Sequence, residues 1–568
     1  MSILDKVVEN PQRLKALFGV VAGLSIAINL FALVQPLFML HVYDYVLSSG
    51  SLPTLGYLTL IAVFLIGLQG VVDFGRTSLL NDAAEELDEQ VRAKLLTATL
   101  AQRYRTGDAA RAGFTRHLDT IKAFLSGPSA VSLIDLPWTP LFIIVLWLLS
   151  PWLALLVIVF AGIVLGVTVW GERRIREGVL DANARNQEAS AFVGDVVANG
   201  DAALAMGFAG ALIKKWERMA HESVRRATIT AILAGQSGAA VKALRVLLQV
   251  LVLAAAAWLV LLNQLSAGAM IAASIIAARA LAPIDLVVGA WRQVLAAREA
   301  WAALGILAPL AEGFDPPRVA PLQPSGALSL EGVSLVVGPQ KRAVVRAVSM
   351  AIPAGSFVGL VGASGSGKSS LMRLMVGAVA PSQGSVRLDQ IELDQHPREL
   401  LGSWIGYLPQ NVQLISGSVA DNIRRFGTGT DEEVILAARA VGADRIIARL
   451  ADGYDTDIGP SGASLSGGEQ ALIGLARALF GNPSLIVLDE PFAHLDAEAG
   501  QQVWKALRLL RKEKRTLVMA THRPRDLTGF DLVGALVDGR LARLGPVSEV
   551  LAALVGTPDM KPDIKVVS

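Results

Sequence analysis

The chain has 568 residues, of which 53% are hydrophobic and 18% charged, and its mean hydropathy is +0.50. Soluble proteins have nearer a quarter of their residues charged, so this composition excludes a purely soluble enzyme. The net charge of +2 gives no reason to expect a nucleic-acid partner, and the absence of Cys excludes disulfides, Cys-ligated zinc and iron–sulfur clusters. At about 150 residues per domain, the length suggests roughly three to four domains.

The N-terminal half contains six apolar runs that are long enough to cross a bilayer. They are residues 14–34, 55–74, 131–149, 152–170, 246–262 and 267–289. The runs form close pairs, which a set of buried core helices does not explain. The N-terminus (MSILDKVVENPQRLK) lacks the basic start and small-residue cleavage site of a signal peptide, so the first run is predicted to be a membrane span.

The connections between these runs predict the orientation. The short connections contain no Lys or Arg, whereas the long ones, residues 75–130 and 171–240, are rich in both. By the positive-inside rule, the long connections and both termini face the cytoplasm. The long connections also carry the spaced apolar positions of helices. Residues 1–310 are therefore predicted to form an all-α, six-helix domain with long cytoplasmic helical arms in a lipid bilayer.

The second half of the chain has a different character. Residues 311–326 are rich in Pro and are predicted to be a linker. In residues 327–555, short β-rich runs alternate with helical stretches, which is typical of a parallel α/β domain. Residues 556–568 read as a polar tail.

A glycine-rich loop follows the predicted strand SFVGLVG at the start of this second domain. It matches the phosphate-loop pattern G-x-x-x-x-G-K-[ST], whose backbone N–H groups surround phosphates at the start of a helix. Its residues are Gly362, Ala363, Ser364, Gly365, Ser366, Gly367, Lys368, Ser369 and Ser370. Lys368 is expected to reach the β- and γ-phosphates and Ser369 to ligate Mg²⁺. This pattern predicts an α/β P-loop ATPase.

Further motifs follow in chain order. Gln410 stands in GYLPQ, and LSGGE (Ser466, Gly467, Gly468) opens a predicted helix. The apolar strand LIVLD ends in the carboxylates Asp489 and Glu490, and His522 follows the strand LVMA. Each of these residues alone would be an unremarkable surface or capping residue. Their order and spacing favour an ATP site.

From about Leu328 to Val555, these motifs and the Leu495-Asp496 turn resemble the ATPase domain of ABC transporters. That resemblance implies a homodimer in which two ATPase domains enclose two ATP molecules with Mg²⁺. It implies that Glu490 is the catalytic base, with His522 and Lys368 at the γ-phosphate. The expected Mg²⁺ ligands are Ser369, Gln410 and Asp489, and Gln410 would also link the phosphate to the membrane domain. Ser466, Gly467, Gly468 and Asp496 would complete the nucleotide site.

The membrane half is similar to a narrower family. Residues 36–55, 135–142 and 268–301 resemble the permease/ATPase of bacterial type I secretion systems, in the subgroup that exports RTX-type proteases and lipases. This resemblance implies export of unfolded polypeptides with a C-terminal signal across the bacterial inner membrane, with a periplasmic adaptor and an outer-membrane channel as partners. No peptidase-like domain is expected before Leu14. Two alternatives are an exporter of lipids, drugs or small peptides and a non-transporting ATP-binding sensor.

The sequence departs from the family pattern at several positions. Val337 stands where an aromatic residue usually stacks on adenine, and Glu469 follows the signature glycines where Gln is usual. Pro460 interrupts a Gly-Glu-x-Gly contact, and the D-loop reads Phe-Ala-His-Leu-Asp. None of these changes removes a phosphate, metal or water-activating group.

Arg279 lies deep in the sixth run, about 18 Å from its outer end at 1.5 Å per residue. A charge at that depth is costly when it faces lipid, so Arg279 is expected to face the dimer interior or an acidic partner such as Asp135 or Asp285. Two roles for Arg279 follow from this position: it lies on the substrate path, or it forms a structural ion pair.

Overall fold

The computed structural model describes residues 10–107, 114–312, 323–338, 341–459, 462 and 464–556. The chain divides into two compact units, one of residues 1–93 and 113–306 and the other of residues 94–112 and 307–568. The described part of the first unit is helical. The second unit contains two β-sheets and the phosphate loop.

The helices up to the linker include three that are far longer than a bilayer is thick. They are α1 (Pro11–Phe31), α2 (Val34–His41), α3 (Leu47–Ser49), α4 (Leu52–Thr106), α5 (Phe114–Leu125), α6 (Pro128–Asp135), α7 (Thr139–Leu149), α8 (Pro151–Ala198), α9 (Gly200–Ala205), α10 (Ala209–Leu261), α11 (Ala267–Gly289), α12 (Trp291–Leu307) and α13 (Pro309–Glu312). A π-helical turn, Val42–Val46, joins α2 to α3, and a 3-10 turn, Leu136–Trp138, joins α6 to α7. Helices α4, α8 and α10 have 55, 48 and 53 residues. A span needs only about 20 residues, so each continues well beyond the apolar layer as an arm.

Each predicted apolar run coincides with a helical segment. By length and composition, the segments able to cross a membrane are Pro11–Ser49, Leu52–Thr106, Pro128–Leu149, Pro151–Val197, Ala209–Leu261 and Gln293–Ala311, with Ala267–Pro283 as a shorter apolar stretch. The run predicted as the sixth span, residues 267–289, instead coincides with α11, which packs against α2, α7 and α10. Small residues such as Ala273 and Ala277 let α11 approach its neighbours closely.

A polar network joins three spans of this unit. The Arg76 guanidinium, 4% exposed, donates to both carboxylate oxygens of Asp135 at 2.8 and 3.0 Å and to the Ser25 hydroxyl at 3.0 Å. Asp73 accepts from its other nitrogen, and Asn29 donates to Asp135 at 3.2 Å. Asp135 is therefore the partner of Arg76. The expected pairing of Asp135 with Arg279 is not formed in this structure.

The ATPase unit is an α/β domain with two sheets. Its strands are β1 (Leu328–Val337), β2 (Arg342–Ile352), β3 (Phe357–Val361), β4 (Gln383–Leu388), β5 (Ile391–Glu392), β6 (Ile405–Leu408), β7 (Leu485–Asp489), β8 (Thr516–Ala520), β9 (Leu532–Val537) and β10 (Arg540–Pro546). Its helices are α14 (Lys368–Met375), α15 (Arg398–Trp404), α16 (Val419–Ile423), α17 (Asp431–Val441), α18 (Asp444–Ile447), α19 (Gly467–Leu479), α20 (Ala497–Lys512) and α21 (Val547–Gly556).

The sheet order explains where the site lies. The smaller sheet is antiparallel with the order β2-β1-β4-β5, and the larger has the order β10-β9-β3-β8-β7-β6. Strands β3, β8, β7 and β6 are parallel, and β3 and β7 are buried along their whole length. Their carboxyl ends meet at one edge, where ligands bind in open α/β sheets. At this edge Asp489 is the last residue of β7, and the phosphate loop, Gln410, Glu490 and His522 follow strands.

Candidate functional site: the nucleotide edge of the ATPase domain

The phosphate loop connects β3 to α14 with a backbone that requires glycine. Gly365 and Gly367 have φ values of +79° and +97°, in the left-handed region that residues with a Cβ rarely occupy. A Cβ at Gly367 would lie 2.8 Å from the Val344 carbonyl oxygen. The loop therefore leads directly into the first turn of α14, whose free N–H groups form an anion site.

Lys368 lies at the start of α14 and is 6% exposed. Its Nζ donates to the carbonyl oxygens of Gly362 and Ala363, at 2.8 and 3.0 Å. Burial lowers the pKa of the Lys368 ammonium, while the carboxylates of Glu490 and Asp489 act in the opposite direction. The Ser366 hydroxyl, also buried, has no hydrogen-bond partner among the described residues. The loop thus holds a cation and a free hydroxyl where a phosphate group fits.

Asp489 ends β7 opposite Ala520 of β8 and is 2% exposed. Within the described part of the chain, both of its carboxylate oxygens are buried without a well-formed hydrogen bond. Burial raises the pKa of Asp489, and the neighbouring Ser369 hydroxyl and Lys368 ammonium oppose that rise. Two unsatisfied carboxylate oxygens near a serine hydroxyl are the oxygen ligands that Mg²⁺ prefers. The residues present therefore fit a bound Mg²⁺.

Glu490 follows directly and points its carboxylate at His522. The Glu490 Oε1 to His522 Nε2 distance is 2.6 Å, and Glu490 is the more buried of the two. Glu490 has a φ of +52°, in the left-handed region that is costly for a residue with a side chain. A cavity of 250 Å³ opens beside the pair and is lined by Phe492, Thr521 and Asp526 as well. The pair thus faces a recess large enough for water molecules.

Gln410 and Asp496 are the remaining predicted nucleotide-site residues outside the phosphate loop and the signature. Gln410 is exposed two residues beyond β6, at the same edge as the phosphate loop. Asp496 caps α20 by accepting a hydrogen bond from the Ala499 N–H at 2.8 Å. The preceding turn lies against the signature, since a Cβ at Gly468 would be 3.1 Å from the His494 carbonyl oxygen.

Ser466 is the N-cap of α19, followed by Gly467 and Gly468 in its first turn. Its hydroxyl accepts from the Glu469 N–H at 3.4 Å, while Glu469 Oε2 accepts from both the Ser466 N–H and the Ser466 hydroxyl at 2.8 Å. This capping box explains why the signature begins a helix. The sequence did not show that the Glu469 carboxylate would bind the signature serine itself.

Three other positions at or near which the sequence departs from the family pattern are Val337, Pro460 and Phe492. Val337 is half-buried and packs with the core of the smaller sheet. Pro460 lies outside the described residues. Phe492 of the D-loop stacks on Trp504 with ring centroids 5.2 Å apart.

One contact within this unit was missed at the sequence level. The end of α4 belongs to the ATPase unit, where the Ala380 N–H donates to the Tyr104 carbonyl oxygen at 2.7 Å. Arg373 donates to the Gly107 carbonyl oxygen at 3.2 Å, and the Arg398 guanidinium lies 3.9 Å from the Tyr104 ring centroid. The basic, aromatic sequence RYRTG gave the only local signal of this contact.

Arg279 lies in the helical unit, on the exposed side of α11. Its Nη2 donates to Gln35 Oε1 of α2 at 3.5 Å. The side chain of Asp285, its other expected partner, lies outside the described residues. The contact that is formed is therefore with a neutral amide.

Comparisons with known proteins agree with this architecture. The family model described as ABC transporter transmembrane region matches residues 18–281, and the model described as ABC transporter matches residues 345–493. The type I secretion system ATP-binding protein PrsD of Rhizobium meliloti (strain 1021) is 37% identical over 95% of this chain and 93% of its own. The alpha-hemolysin translocation ATP-binding protein HlyB of Escherichia coli is 28% identical over 93% and 75%, respectively.

A solved structure of a bacterial Atm1-family ABC exporter with ATP bound superimposes with a TM-score of 0.78, at 23% identity, over 95% of this chain and 96% of that one. The predicted fold class, a six-helix ABC exporter domain joined to an α/β P-loop ATPase, is thereby confirmed. The expected ATP hydrolase coupled to transport is confirmed as well. On the family match and the identity with PrsD, the chain belongs to the ABC transporters, in the family of type I secretion ATP-binding proteins.

Proposed function

We propose that this protein is the ATP-driven motor of a type I secretion system. It exports an unfolded polypeptide with a C-terminal signal from the cytoplasm across the bacterial inner membrane, and RTX-type proteins are the proposed class of cargo. A periplasmic adaptor and an outer-membrane channel complete the path. The observation that carries the proposal is the Lys368, Asp489 and Glu490–His522 site in a chain that is 37% identical, over 95% of its length, to a type I secretion system ATP-binding protein.

The proposed chemistry follows from the geometry. Lys368 and the N–H groups of the phosphate loop bind the β- and γ-phosphates. Ser369 and Asp489 would hold Mg²⁺, with Gln410 at the same edge, and the ion would neutralise charge on the phosphate oxygens. Glu490 polarises the attacking water, and the 2.6 Å contact with His522 orients its carboxylate.

The site requires a second copy of the chain. Among the described residues, the Ser466 side chain bonds only to Glu469 and not to the phosphate loop of its own chain. In the proposed homodimer, Ser466, Gly467, Gly468 and Asp496 of one protomer face the phosphate loop of its partner. The ATPase domains and both termini then lie in the cytoplasm, in line with the Lys and Arg distribution.

Arg279 is proposed to lie on the substrate path. Its exposed position on α11 and its contact with the neutral Gln35 leave its charge without a described carboxylate partner. A cation at this depth is costly unless water or an anion reaches it. In the dimer, this side chain faces the interior and contacts acidic segments of the polypeptide.

The homodimer is tested with two substitutions, Lys368→Ala and Ser466→Arg, placed in differently tagged chains. With one substitution in each chain, one composite site loses both contributions and the other stays intact. With both substitutions in the same chain and a wild-type partner, each site loses one contribution. Mixed dimers are purified through both tags, and occluded ATP and phosphate release are measured in nanodiscs.

We expect one occluded ATP per dimer in the first arrangement and none in the second. Equal results for the two arrangements would refute the composite site. Secretion is tested separately, in cells with the adaptor and channel. Full secretion by a chain with Lys368→Ala in both protomers would refute the proposal that ATP drives export.

A further inference from the structure

The start of α19 is an anion site that a carboxylate of the same chain already occupies. One oxygen of Glu469, Oε2, accepts hydrogen bonds from both the N–H and the hydroxyl of Ser466 at 2.8 Å. These are two donors that a phosphate group would use at this helix N-terminus. Glu469 is half-buried, and in the part of the chain that the structure describes these bonds to Ser466 are its only polar side-chain contacts. Among the described residues, the partial positive charge at the start of α19 is what favours its negative charge.

A second capping box in the same unit shows that this arrangement is not needed to start a helix. At α17, Glu433 Oε2 accepts from the Thr430 N–H at 2.9 Å, and the Thr430 hydroxyl accepts from the Glu433 N–H at 3.3 Å. There, the structure records no bond from the hydroxyl to the carboxylate. At α19, the hydroxyl donates its proton to Glu469 in addition. The extra bond lies at the serine that the proposed composite site presents to ATP.

We propose that Glu469 is an internal competitor for the phosphate of ATP. It holds the Ser466 hydroxyl and N–H while the two ATPase domains are apart, and it must release them when a phosphate bound to the partner's loop arrives. The inference rests on the composite site of the proposed function. It assigns to Glu469 a positioning role, because the carboxylate acts through Ser466 and sets the ATP concentration at which the dimer closes.

Charge is the physical basis of this competition. A γ-phosphate that reaches Ser466 carries negative charge to within a few ångströms of the Glu469 carboxylate, and like charges at that distance repel. A Gln side chain at this position keeps an oxygen acceptor for the Ser466 N–H, so the helix cap survives. Glu469→Gln therefore removes the repulsion but retains the box. Glu469→Asp retains the charge.

The test measures the ATP dependence of hydrolysis for the full chain in nanodiscs. For Glu469→Gln, we expect the KM for ATP to fall roughly three- to tenfold, as removing one repulsive charge at a partly exposed site would give, with kcat changed less than KM. Glu433→Gln makes the same change in the control box and is expected to leave KM within about twofold. Glu469→Asp keeps the repulsive charge, so its KM is expected to stay above that of Glu469→Gln.

Salt separates repulsion from a purely structural effect. Because the Debye length falls from about 10 Å at 0.1 M to about 3 Å at 1 M salt, the KM ratio between wild type and Glu469→Gln should shrink toward one as salt rises. An unchanged KM in Glu469→Gln, an equal change in Glu433→Gln or a salt-independent ratio would overturn the inference. The proposed function itself would fail in a different way. In that case the wild-type chain would show no ATPase activity, or its activity would survive Lys368→Ala.

Discussion

Arg425 is a single side chain whose replacement should loosen the signature helix. Its guanidinium donates to the carbonyl oxygens of Arg477, Ala478 and Phe480 at 2.9, 3.1 and 3.1 Å, at the end of α19. It also donates to the carbonyl oxygens of Gly402 and Ile405, at the end of α15. Five N–H donors thus meet carbonyl acceptors from two helix ends, where a cation is also favoured by the helix dipoles.

Arg425→Lys keeps the charge but cannot satisfy these acceptors. An ammonium has three donors on one atom, so at least two of the carbonyl groups lose their partner. A hydrogen bond to a charged group contributes about 1.5–3 kcal/mol, which gives a loss of about 3 kcal/mol at the lower bound. Burial lowers the pKa of Arg425 to about 10. Because this value is still well above neutral pH, the wild-type side chain stays charged.

Hydrogen–deuterium exchange of the full chain in nanodiscs measures this loss locally. Amides of residues 470–480 should lose protection in Arg425→Lys by a factor that corresponds to about 3 kcal/mol. Arg477→Lys is the matched control, because the Arg477 side chain makes one described hydrogen bond, to the Gln413 carbonyl oxygen at 3.2 Å. If Arg425→Lys exchanges like the control, the multiple bonds do not stabilise α19 and the reasoning is refuted.

Three further predictions concern the chemistry, the path and the pH response. Glu490→Gln should bind ATP but release phosphate about 10²–10⁴-fold more slowly, and near-wild-type release would place the base elsewhere. Arg279→Ala should keep the dimer, its thermal stability and its ATPase activity but reduce secretion, so normal secretion would contradict a role on the path. Burial lowers the pKa of His396, so folding favours the neutral ring. The contribution of the neutral ring to the free energy of unfolding is fully present above about pH 6.5. It is lost as the pH falls toward the lower pKa of the folded state. Unfolding of the ATPase unit should therefore be less pH-dependent in His396→Gln over that range.

The motifs assigned to the ATP site could be recognised in the sequence because their chemistry is local. The phosphate loop, LIVLDE and LSGGE each combine a strand or helix signal with the reactive side chain in one short segment. Parallel strands then bring those segments to one edge of the sheet, as the pairing of Asp489 with Ala520 shows. Each of the six predicted spans is likewise a continuous apolar run, and each run coincides with a helical segment.

Contacts between distant segments could not be predicted in this way. The pairing of Asp135 with Arg76 depends on how α1, α4 and α6 pack. The sequence pattern around each residue does not show which residue it pairs with. The packing of Tyr104 beside Arg398 likewise joins residues far apart in sequence. Ser466 and Glu469 are only three residues apart, but the hydrogen bond between their side chains depends on the rotamer of Glu469, which the sequence does not specify.

The last prediction concerns the opposite end of the membrane unit, where the π-helical turn Val42–Val46 meets the start of α11. Asp44 accepts a hydrogen bond from the Gly268 N–H at 2.8 Å, and its other oxygen accepts from the Ser266 hydroxyl. Asp44 of the first span therefore caps the sixth. A Cβ at Gly268 would lie 2.5 Å from the Leu40 carbonyl oxygen and 2.7 Å from the Asp44 carboxyl carbon.

Gly268→Ala should thus force α11 away from the first span, at a cost of about 1–3 kcal/mol against a gain of about 1 kcal/mol in helix propensity, and the close approach to backbone places the cost toward the upper end. Gly23→Ala in α1 is the control, because a Cβ there meets nothing within 4 Å and should leave stability unchanged or slightly raised. The measurement is the rate of thermal inactivation of the two purified variants beside wild type. Faster inactivation of Gly268→Ala alone supports the close approach of the two spans, because only this substitution adds an atom between them. Equal rates for both variants would mean that the Asp44 cap accommodates a methyl group and does not depend on glycine.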